Sequence, residues 1–144
     1  SWKLMLKSNR IFLHATNAAI SISGVIYFWM LYFLENDDEF SILNHPYQDI
    51  VRNWHIILAP FLVFAVALIF NNHIIFKIKS HYSGRGRLTG LLMCVLFPVM
   101  VLSAYLLQIA SNDSMHTTFL YAHNLSSFLW IFVYLVHQAR MMRQ

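Results

Sequence analysis

Two histidines fourteen residues apart, His123 and His137, stand in an otherwise largely apolar run near the end of a chain of 144 residues. On a helix that spacing leaves them about 40° apart around the axis and about 21 Å apart along it, so they share one face at two levels. An imidazole nitrogen is an axial ligand of haem iron, and a low-spin haem takes one imidazole on each side. One face carrying two such donors therefore suits two haems stacked in series, if other elements supply a partner imidazole at each level. The chain has eight histidines. Besides His123 and His137, three more stand in or beside apolar runs, namely His14, His55 and His73. An imidazole in hydrocarbon needs a polar partner, which makes each of these a functional hypothesis by default.

The elements that must position them are read from apolar length. The chain is 58% hydrophobic and only 11% charged, with mean hydropathy +0.54, whereas a soluble domain carries about a quarter charged residues. Crossing a bilayer takes about 20 mostly apolar residues. Four segments qualify, at about 11–34, 54–76, 88–110 and 118–139. The expectation is an all-α, single-domain, integral membrane four-helix bundle with polar joints at 35–52, 77–87 and 111–116. No internal repeat or soluble domain is visible. The first apolar run starts at Ile11 and is long enough to span, so a cleavable signal peptide is not expected.

Charge sets the orientation. Lys3, Lys7, Arg10, Lys77, Lys79, Arg85, Arg87, Arg140 and Arg143 fall on one side of this topology. Arg52 alone falls on the other, together with all six acids (Glu35, Asp37, Asp38, Glu39, Asp49 and Asp113). The positive-inside rule puts both termini and the middle loop in the cytoplasm. The net charge of +4 thus reflects topology and does not point to nucleic acid.

With the spans oriented, the histidines pair by depth. His55 enters the second span from outside, near the level of His123. His14 lies just inside the cytoplasmic start of the first span, near the level of His137. Counted from the outer helix ends, His14 is twenty residues from Leu34 and His137 nineteen from Thr118. The pairs read as His55 with His123 outside and His14 with His137 inside. His73 is the alternative inner ligand: it follows His55 by eighteen residues, five full turns, and so faces the same way. A lone intramembrane histidine is better read as a polar bridge between helices; four that pair by depth favour haem. Cys94 is the only cysteine, so no Cys-x-x-Cys-His exists to attach haem covalently, and the haems would be b-type. Cys94 itself reads as a small core residue.

The segments Arg10-Ile11-Phe12-Leu13-His14, Arg52-Asn53-Trp54-His55 and His123-Asn-Leu-Ser-Ser-Phe-Leu-Trp-Ile-Phe-Val-Tyr-Leu-Val-His137 resemble the prokaryotic four-helix cytochrome b561 superfamily. That group includes the membrane cytochrome b subunits of formate dehydrogenase, nickel–iron hydrogenase and thiosulfate reductase. The resemblance covers essentially the whole chain, and the fourteen-residue spacing in the last span is its most specific part. It implies two haem b groups, with ligands on the first, second and fourth spans. It also implies a quinone site near the cytoplasmic haem, redox partner subunits on the periplasmic side, and a place in the prokaryotic inner membrane. The expected function is electron transfer within an oxidoreductase complex, between an outer partner and the quinone pool. Substrate chemistry is expected elsewhere, because bis-histidine iron has no open position. The competing class is a haem-free membrane anchor or assembly subunit.

A quinone carbonyl needs a hydrogen-bond donor, and reducing the quinone needs protons. His73 at the inner end of the second span, and His81, Tyr82, Ser83 and Arg85 in the cytoplasmic loop, are the available donors. The same loop serves equally well as a basic segment for topology and lipid head groups. Ser21, Ser23 and Gly24 would allow close approach of a haem or a helix, as in helix packing generally. Gly84 and Gly86 read as ordinary turn residues, His45 and His116 as outer-loop residues. Pro60 and Pro98 are expected to kink their helices. Most of Trp54, Trp130, Tyr27, Tyr32, Tyr47, Tyr105, Tyr121 and Tyr134 read as anchors at the membrane surfaces.

Overall fold

The computed structural model describes residues 6–36, 40–80, 84 and 86–142. Among them there is no strand. The helices are α1 (Lys7–Phe33), α2 (Gln48–Ile69), α3 (Phe76–Lys79), α4 (Arg87–Ile109) and α5 (Asp113–Met142). A π-helical turn, Phe70–Ile75, joins α2 to α3, so Gln48–Lys79 is one continuous rod. Four helices are therefore long and apolar enough to cross a membrane. They overrun the apolar segments: the second begins at Gln48 and the fourth runs from Asp113 to Met142. Apolarity marks where hydrocarbon begins, while backbone hydrogen bonding carries a helix on into the polar interface. α2 passes through Pro60 and α4 through Pro98 without a break.

The chain forms two compact units, Ser1–Ser80 and His81–Gln144. In the first, α1 packs along α2, with Phe12 edge-on to Phe64 at 6.2 Å. The C-terminal end of α1 is closed by Asn44, whose Nδ2 donates to the carbonyls of Leu31 (2.9 Å) and Met30 (3.3 Å). These are carbonyls that a helix end leaves without intrahelical partners. Gln48 Oε1 accepts from the Asn44 backbone N–H in turn. Arg52 pairs with Asp49 at 3.2 Å.

In the second unit α4 packs along α5. Trp130 and Tyr134 are only 4% and 7% exposed, against 58% for Trp54 and 71% for Tyr121. Trp130 stacks on Tyr134 and packs against Phe97 at 5.4 Å. These two aromatics are core residues and not surface anchors. Both fall well inside α5, since that helix continues to Met142. Tyr32, Tyr47, Trp54, Tyr105 and Tyr121 are exposed.

Candidate functional site: anchored imidazoles

Within the first unit, His55 of α2 faces Ser23 and Gly24 of α1. The Ser23 hydroxyl lies 3.0 Å from the Ile20 carbonyl and 3.0 Å from His55 Nδ1. A hydroxyl has one hydrogen and two lone pairs. Only one assignment makes hydrogen bonds of both contacts: Ser23 donates to Ile20, and His55 Nδ1–H donates to Ser23. Gly24 gives the ring its space. A Cβ there would stand 2.8 Å from His55 Cε1 and 3.3 Å from Nδ1, closer than a side chain can approach without displacing the imidazole.

The second unit repeats the device. Thr89 of α4 lies 3.0 Å from the Gly86 carbonyl and 2.9 Å from His137 Nδ1. Thr89 and His137 are both buried. Thr89 donates to the Gly86 carbonyl and accepts from His137 Nδ1–H on the same count, and the Gly86 backbone carbonyl is a second acceptor within reach of the His137 ring. Here the close glycine is Gly86, where a Cβ would stand 3.0 Å from Met141 Sδ and 3.3 Å from His137 Cε1. Gly86 is thus more than a turn residue. Gly90, next to Thr89, leaves an ordinary 3.7 Å to the same ring atom.

His123 is held by a third variant. Its Nδ1 lies 3.1 Å from the Met100 carbonyl, which can only accept. That carbonyl also accepts from the Ser103 hydroxyl at 3.0 Å. This assignment puts the ring hydrogen on Nδ1 in all three and the lone pair on Nε2. His45, between α1 and α2, shows the reverse: its Nδ1 accepts from the Tyr47 backbone N–H at 3.1 Å.

A ligating histidine commonly has this character, with one ring nitrogen donating to a fixed acceptor while the other meets the metal. The donor set fits axial ligation of haem iron. Among the described residues no three His, Cys, Asp or Glu side chains form a group able to hold a bare metal ion. A porphyrin supplies four equatorial nitrogens, so haem iron asks the protein for only two axial donors.

His123 and His137 lie on one unbroken α-helix, so the shared face and the two levels hold as α-helical geometry. His14 is half-buried in α1. His73 lies inside the π-helical turn, which alters the relation expected for it. A π turn takes more residues than an α turn, so five full α turns no longer separate His55 from His73 and the two need not face alike. His116 lies exposed in the first turns of α5. Cys94 is half-buried. His81, Tyr82, Ser83 and Arg85 lie outside the described residues.

Sequence reasoning noticed Ser23 and Gly24 but missed Thr89, Gly86, Gly90 and the Met100 carbonyl. Two signals were present. Thr89-Gly90 repeats the hydroxyl–glycine pair of Ser23-Gly24, and Gly86 and Gly90 stand four apart, the small-xxx-small spacing of close helix contacts. Comparisons with protein-family models, curated proteins and solved structures gave no match to this chain.

Proposed function

We propose that this chain is a dihaem b-type cytochrome subunit of a prokaryotic inner-membrane oxidoreductase complex. It carries electrons between a redox partner on the outer side and the quinone pool near the cytoplasmic haem. The observation that carries the reading is a shared contact: Nδ1 of His55, His123 and His137 lies 3.0, 3.1 and 2.9 Å from an oxygen of a neighbouring helix, the anchoring that a ligating imidazole commonly has. Depth along the spans pairs His55 with His123 on the outer side, and His14 with His137 on the cytoplasmic side. Bound haem supplies reversible one-electron chemistry. The chain's own part is to fix the imidazole tautomer, to hold each ring by a neighbouring helix, and to surround the donors with apolar residues that keep water out. His73, with His81, Tyr82, Ser83 and Arg85, is the donor set proposed for the quinone.

The direct test is a pyridine haemochrome spectrum of the purified protein. It should give two b haems per chain, with a Soret band from low-spin iron. A haem content of zero would sink the reading and leave a four-helix membrane anchor. A second expectation concerns orientation. Labels at either terminus or in the 77–87 loop should react only from the cytoplasm, and labels near Asp38 or Asp113 only from outside. The reverse pattern would interchange the two haem levels.

A further inference from the structure

Ser23 and Thr89 do the same thing in two separate units. Each hydroxyl donates to the carbonyl three residues earlier, at 3.0 Å in both cases, and stands 3.0 or 2.9 Å from the Nδ1 of a histidine on the facing helix. Each is followed by a glycine, Gly24 or Gly90. The hydroxyls do not need the second contact, because the back-bond already satisfies them within their own helix. It is the imidazole that gains. A hydroxyl that donates is polarised into a better acceptor, and a ring that donates Nδ1–H becomes a more basic ligand through Nε2.

We propose that Ser23 and Thr89 are positioning residues that set the donor strength of His55 and His137 as axial ligands. By doing so they hold down the reduction potential of the haem that each histidine binds. A more basic imidazole favours ferric over ferrous iron, so each hydroxyl stabilises the oxidised state of its own haem. The inference rests on the dihaem reading above. His123 sits outside this control, because its acceptor is the Met100 backbone carbonyl, which no side-chain change removes.

The test is a redox titration of the purified holoprotein. Ser23→Ala should raise the midpoint potential of the haem that His55 ligates and leave the other where it was. Thr89→Val should raise the potential of the haem that His137 ligates by less, because the Gly86 backbone carbonyl also bonds that ring and stays in place. Ser23→Thr and Thr89→Ser, which keep a hydroxyl, should bring each value back towards wild type. Ser126→Ala is the control: Ser126 is a buried hydroxyl that back-bonds to Ala122 and His123 carbonyls, and its loss should move neither potential. If Ser23→Ala or Thr89→Val sheds its haem, Ser23→Cys and Thr89→Cys take its place. Sulfur accepts weakly, so the same upward shift is expected. Two retained haems with unmoved or lowered potentials would overturn the inference and leave the function intact. Wild-type protein without haem would overturn the function itself, so the two failures are told apart by the first spectrum.

Discussion

His55→Ala and His123→Ala should each strip the same one of the two haems, lowering haem content from two per chain to about one. The remaining haem should stay low-spin. The effect is large because an axial imidazole is a covalent contact to iron, and alanine offers nothing in its place. It should be confined to one haem because His137, the ligand assigned to the other level, is held by Thr89 and cradled by Gly86 within α4 and α5. Neither contact involves α2 or the region of α5 around His123. Gly24→Ala should push the same way less completely. Its Cβ would stand 2.8 Å from His55 Cε1, so the ring must swing and the 3.0 Å bond to Ser23 must stretch or break. Haem stoichiometry and the low-spin signals of the three variants read this directly. If His55→Ala and His123→Ala both kept two low-spin haems, the outer pair would be wrongly assigned.

Much of the fold was legible because hydrocarbon imposes a length. Four apolar runs announce four spans, and four helices of that length and apolarity are present. The ends were less legible. The stretch 48–52 and the first turn of α5 are polar enough to look like loop, yet they are helical. Trp130 and Tyr134 were misread because aromatic belts are a tendency of membrane surfaces, and a large ring also fills a core. Of the site, the histidines were visible as residue types with a spacing. Their state was not: a tautomer is set by what Nδ1 touches, and Ser23, Thr89 and the Met100 carbonyl belong to neighbouring helices 32, 48 and 23 residues away in the chain. The π turn at Phe70–Ile75 was equally hidden. It depends on which carbonyl each N–H selects, and the Asn71-Asn72 pair in an apolar run was its only trace.

His14→Ala should abolish the low-spin signal of the inner haem, whereas His73→Ala should keep both haems and slow reaction with quinol. The proposed pairing matches His14 with His137 by residue count, and the helix carrying His14 runs from Lys7 to Phe33. The case for His73 as the inner ligand was that it faces as His55 does. That relation depends on unbroken α-helical turns between them, and the π turn containing His73 interrupts them. A π turn inside a helix is frequently a functional feature, because it re-aims side chains that an α-helix would send elsewhere. Here it holds an imidazole near the C-terminal end of the second span, between the apolar run and Lys77 and Lys79. An imidazole there is suited to donating a hydrogen bond or a proton to a quinone carbonyl, since its charge changes near neutral pH. Paired haem spectra and quinol-oxidation rates on the two variants separate the roles. Loss of the inner haem in His73→Ala, with its retention in His14→Ala, would transfer the axial site to His73. It would also mean that the π turn serves ligation and has no part in handling quinone.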